Sequence, residues 1–146
     1  MKLPHATYTP FEEIDHTADV GIRARGESLS SLFVNAAKGM MWLIYPHALN
    51  SDAECRDLVR VHASTSDTLL REWLAEILYV HAAKHVIPRH FDIRSISENK
   101  LEASVRSTPM SDAMCNDVSE IKAVTWHGLS IKRDGSMYVA EIIFDI

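Results

Sequence analysis

Glycine, cysteine and long apolar runs are all scarce in this chain of 146 residues, and each scarcity removes a class of function. Five glycines leave little material for a phosphate-cradling loop, and no P-loop, dinucleotide-binding glycine pattern, nucleophile elbow or zinc ribbon occurs. Cys55 and Cys115 stand alone in unlike surroundings, so they suggest neither a disulfide framework nor a CxxC metal site and read as ordinary thiols. The longest apolar run, Met40 to Tyr45, is far shorter than a bilayer span, and Met1 to Ala6 carries no signal-peptide core. These features predict a cytoplasmic protein with no membrane partner. Basic residues are also in deficit: 15 Lys plus Arg against 20 Asp plus Glu leave a net charge of −5. That balance argues against tight, direct nucleic-acid binding through a broad basic face.

What is present is a 47% hydrophobic content, enough to core one domain over residues 1–146 and too little chain for two. Pro4 and Pro10 keep a leader over residues 1–9 from forming a helix. Phe11 to Ile14 and Val20 to Arg25 read as strands, since Val20, Ile22 and Ala24 alternate with Gly21, Arg23 and Arg25. Ser28 caps a helix whose stripe of Leu29, Leu32, Phe33, Ala36, Ala37, Met40, Leu43 and Ile44 is ended by Pro46. A loop over residues 46–53 leads to a strand between Glu54 and Ala63. Thr65-Ser66-Asp67 then opens a second helix, with Leu69, Leu70, Trp73, Leu74, Ile77, Leu78 and Ala82 turned inward. His81 and His85 have the i, i+4 spacing of a metal pair, but no glutamate follows the first, and both read as packing or surface histidines.

Beyond Pro88, His90 to Ile96 and Leu101 to Arg106 form a predicted hairpin around Glu98-Asn99-Lys100. Thr108 to Val118 reads as a mobile loop, and Glu120 to His127 as a strand running on towards Ile131. Asp134-Gly135 turns the chain into a last strand, Tyr138 to Ile146. About seven strands and two helices with terminal hairpins predict an α+β fold. It is a single compact domain, a mostly antiparallel β-sheet with two principal helices packed on it.

The chemistry concentrates at Glu13-Ile14-Asp15-His16-Thr17-Ala18-Asp19, polar residues caught between two strands. Asp19 at a strand mouth either stabilises a turn through its own backbone or acts as a ligand positioned by the strand. At the other extremity the chain stops after Asp145 and Ile146, which places a side-chain carboxylate beside the α-carboxylate. If the first and last strands share a sheet, Asp19 joins them in an oxygen-only pocket suited to calcium, magnesium or manganese. The plain alternative is a solvated acidic terminus. A metal-dependent phosphoester hydrolase using Asp19 and His16 is a further class, which turnover by the pure protein would reveal. A general RNA-processing accessory or chaperone protein is another, which would show as salt-sensitive tRNA binding.

His16-Thr17-Ala18-Asp19-Val20-Gly21, the helix from Leu29, Leu69 to Tyr79, Lys122-Ala123-Val124-Thr125-Trp126-His127 and Ile143-Phe144-Asp145-Ile146 together resemble the archease family, in order along nearly the whole chain. The resemblance implies an accessory protein, not an enzyme, that assists the guanylylating RNA ligase of tRNA splicing by promoting its activation and multiple turnover. It implies a calcium or other hard divalent cation held by Asp19, Asp145 and a main-chain oxygen of Ile146. It also assigns Lys122 to the family's strand lysine, a cation available to the acidic cluster or to a phosphate, and keeps His16 in the motif. The chain departs from the family where a Gly-Glu pair usually follows the strand equivalent to Leu101 to Arg106. Ser107-Thr108-Pro109-Met110-Ser111 stands there instead, with Asp112 and Asp117 as the next carboxylates.

Overall fold

Alternation governs the first hairpin. The structure is a computed structural model describing residues 8–16, 19–47, 49 and 55–146, without the side chain of His16. Strand β1 (Phe11–His16) pairs antiparallel with β2 (Asp19–Gly26), and on β2 Ile22 and Ala24 are wholly buried while Arg23 and Arg25 stay partly exposed. Both strands lie where the pattern puts them but run longer, because the ladder continues through polar residues to His16↔Asp19. Most of the leader and most of the 46–53 loop fall outside the described residues.

A Cβ on Gly26 would overlap the Leu32 backbone nitrogen and come 2.7 Å from Leu32 Cα, so only glycine lets β2 run this close to the next helix. That helix, α1 (Leu29–Ile44), starts in a capping box: the Ser31 amide donates to Ser28 Oγ and the Ser28 amide to Ser31 Oγ. It stops when the Tyr45 amide has bonded Met41 O, one residue before Pro46. Helix α2 (Ser66–Lys84) is capped by Thr65 and closed by His85 in the left-handed region, φ 53°. Its inward face is the predicted one except at the end, where Val80 and His81 are buried and Ala82 is exposed. Trp73 Nε1 donates to Phe33 O at 2.9 Å, tying the helices together.

Strands β3 (Cys55–His62), β4 (Val86–Ile96) and β5 (Lys100–Pro109) form a three-stranded antiparallel sheet in the order β3-β5-β4. Pro88 is accommodated inside β4 at a register shift between Pro88 and His90, so this strand begins four residues before the predicted His90. The other sheet runs β1-β2-β8-β6, where β6 is Ala123–Val124 and β8 (Met137–Asp145) also pairs β7 (Ile131–Asp134) across the Asp134-Gly135 turn. Both helices touch both sheets. Trp73, Phe33, Phe144 and Ile22 are among the largest fully buried side chains of the shared core.

Two stretches differ from expectation. Thr108 and Pro109 complete β5, and Ser111 caps a short helix, α3 (Asp112–Cys115), where a loop is predicted. The long strand predicted from Glu120 shrinks to β6, Ala123–Val124. Beyond it a turn holds the Leu129 amide to Trp126 O, with Gly128 at φ 61°, and separates β6 from β7. No helix among the described residues is long and apolar enough to cross a membrane.

Candidate functional site

Register brings the two predicted carboxylates together. β2 and β8 pair up to Val20↔Phe144, so the next residue outward on each strand is Asp19 and Asp145. Asp19 is in turn opposite His16 on β1, and Asp145 opposite Ala123 on β6. Four adjacent strands therefore end in one row, His16–Asp19–Asp145–Ala123. Because Ile22, Ala140, Ile142 and Phe144 are buried against the helices, strand alternation puts Asp19 and Asp145 on the opposite, outward face.

Directly opposed residues have Cβ atoms roughly 4.5–5.5 Å apart, and like charges in that position destabilise a sheet. The floor beside them is apolar and close: a Cβ on Gly21 would come within 2.7 Å of Ile143 Cδ1 and 3.0 Å of Ile14 Cγ1. The next cation along this face is already engaged, Arg23 donating to Glu141 at 2.8 Å and to Glu12 at 3.0 Å. Asp145 O accepts the Lys122 amide at 2.7 Å, which leaves the main-chain oxygen of Ile146 as the next one available in the row. Two carboxylates and a main-chain oxygen fit a hard divalent cation and suit a soft one poorly. Among the described residues no group of three or more His, Cys, Asp and Glu side chains is arranged to hold a metal, so such an ion would complete its shell with main chain, water or a partner. Thr17, Ala18 and the His16 imidazole lie outside the described residues.

Lys122 joins the row through its backbone only. Lys122 precedes β6 and lines a groove with Arg71, Leu78 and Tyr79 of α2, and among the described residues it forms no ion pair. The pairing with the acidic cluster left open by the sequence is not formed here. The sequence reading also missed Arg71, whose Nε donates to Val124 O at 3.2 Å and whose guanidinium lies 4.7 Å from the Trp126 ring centre. Trp126 and Tyr79 are 55% and 62% exposed, large for rings. The sequence signal was weak, because Arg71 is followed by Glu72 and reads as half of an ordinary helical charge pair.

His81 and His85 are not a pair of ligands. His81 is buried with Nδ1 2.7 Å from Val86 O, and His85 is the helix cap. At the departure from the family pattern, Ser107 and Thr108 are buried in β5, and Asp112 stands exposed in the first turn of α3.

The model of the archease protein family (MTH1598/TM1083) matches residues 11–146. The chain belongs to the archease family. The protein archease of Methanopyrus kandleri is 31% identical over 143 residues, covering 94% of this chain and 99% of that protein. The protein archease of Saccharolobus solfataricus is 32% identical over 137 residues, covering 93% and 98%. The solution structure of Methanobacterium thermoautotrophicum protein 1598 superposes with a TM-score of 0.80 at 26% identity, over 94% of this chain and 99% of that one. A Thermotoga maritima crystal structure, described as an archease and possible chaperone, shares the fold with a TM-score of 0.63 at 22% identity, over 98% and 100%. The archease fold is therefore this chain's two sheets with a helix pair that touches both, and the His16–Asp19–Asp145 row sits at one end of its larger sheet.

Proposed function

We propose that this archease-family protein is a cytoplasmic accessory factor of the guanylylating RNA ligase of tRNA splicing, promoting ligase activation and multiple turnover without breaking or forming bonds itself. The observation that supports this reading is the alignment of Asp19 with Asp145 across β2 and β8, which gathers motif residues from the two extremities of the sequence. Asp19 and Asp145 would hold calcium or another hard divalent cation together with the main-chain oxygen of Ile146. When bound, that ion supplies a positive centre able to meet a phosphate or carboxylate of the partner. The two carboxylates fix its position on a rigid sheet end, and His16 stands in the same row on β1. Lys122, in the groove beside exposed Tyr79 and half-buried Arg71, adds a cation to the docking edge.

A multiple-turnover ligation assay tests the reading. Asp19→Ala with Asp145→Ala is expected to abolish stimulation of the ligase while the thermal midpoint holds, since removal of opposed like charges offsets loss of the ion. Full stimulation by the double variant overturns the proposal. For Lys122→Ala, stimulation weakens with no change in thermal midpoint; an unfolded variant would make Lys122 structural.

A further inference from the structure

A cavity of about 380 Å³ opens between the later half of α1, the start of β1 and the start of β4. Its rings come from separate places in the sequence. Trp42 and Tyr45 belong to the end of α1, and Phe11 packs obliquely on Trp42, 6.1 Å between ring centres and 53° between planes. Trp42 is still 42% exposed, so part of its surface is open to a ligand.

The basic side chains described on the wall are Lys38, His47 and Arg89, and no carboxylate lines the cavity among the described residues. Lys38 is exposed and forms no ion pair with a described residue. Arg89 is held in place by donating to Leu49 O at 2.9 Å and to Thr108 Oγ1 at 3.3 Å. The same positive field reaches His90: burial first, then the charges of Arg106, Arg89 and Lys38, hold its imidazole below the ordinary value of 6.5.

A lone anion needs the cations and has no use for the rings, whereas an apolar ligand needs the rings alone. A planar base carrying a phosphate uses both, since stacking on aromatic faces and charge-assisted contacts to phosphate are the two standard elements of nucleotide recognition. The volume lies at the lower end of the range for small-molecule sites, which suits one such unit. We propose that this cavity binds a single nucleotide, its base stacked on Trp42 or Tyr45 and its phosphate against Lys38 and Arg89. A free nucleoside monophosphate and the phosphorylated end of an RNA strand both present this unit. Phe11 is at the far end of β1 from His16, about 17 Å along the strand at roughly 3.3 Å per residue, so the site does not rest on the Asp19–Asp145 row or on the ligase role.

The test is a titration of the full chain with GMP followed by amide and indole NMR shifts, with inorganic phosphate and a 5′-phosphorylated trinucleotide in parallel. Shifts are expected at Lys38, Trp42, Tyr45 and Arg89. Trp42→Leu and Lys38→Glu should each weaken binding about fivefold or more, the order expected for losing one stacking or phosphate contact, and added salt should weaken it further. Tighter binding of the trinucleotide assigns an RNA end, and tighter binding of GMP a free nucleotide. Absence of shifts at millimolar GMP, shifts centred on the Arg25 and Lys132 face instead, or equal binding of inorganic phosphate would each overturn the proposal. Lys38 is solvent-exposed, so Lys38→Glu carries the test if Trp42→Leu fails to fold.

Discussion

Glu12 shows how a single side chain can tie three strands. It accepts from Arg23 and Arg25 of β2, and Arg23 reaches on to Glu141 of β8. The hydrogen bond from Arg23, then that from Arg25, holds the Glu12 carboxyl below its ordinary 4.5. On acidification the unfolded chain takes up this proton first, so the stabilisation is whole above about pH 4.5 and is lost as the pH falls through the lower folded-state value. Glu12→Gln should therefore lower the thermal midpoint slightly at pH 7, with the gap to the parent closing as the pH falls below the ordinary 4.5. A gap that stays constant across that range in thermal melts would contradict the assignment. The face on which Asp19 and Asp145 lie was legible, because buried Ile22 and Phe144 fix the phase of each strand. Their partnership was not: a period of two tells which side a residue is on and nothing about which strand lies opposite.

Among the elements, α1 and α2 were the most readable, since each combines an apolar stripe with a hydroxyl cap at Ser28 or Thr65. The segment from Glu120 to Ile131 was the least. Val124 and Ile131 fit one strand by composition, but a turn at Gly128 separates them, and composition alone does not locate a positive-φ turn. The fit between elements is tight at two places. Leu74 of α2 is fully buried, and Leu74→Ala should cost about 2–5 kcal/mol in chemical denaturation. Gly26→Ala should also destabilise, because the backbone of α1 at Leu32 leaves no room for a methyl group. A Gly26→Ala variant as stable as the parent would show that β2 and α1 can part locally.

For the molecule as a whole, the two sheets differ in how far apart in sequence their partners lie. β4 and β5 are joined by a short turn at Ser97–Asn99, whereas Arg23 of β2 meets Glu141 of β8 from 118 positions away. Closing a long loop costs entropy before any contact repays it, so nearby pairings tend to form sooner. The hairpin amides of Phe91 and Val105 should accordingly gain protection from exchange with solvent deuterium earlier in refolding than those of Ile22 and Ile142. Simultaneous protection would show that all strands condense in one step. If assembly does run in that sequence, the acidic row is built last: a partly folded chain would already carry its helix cluster and smaller sheet, yet could not present Asp19 beside Asp145. Competence to engage a partner through that row would then be a timer on completed folding, withheld from every intermediate.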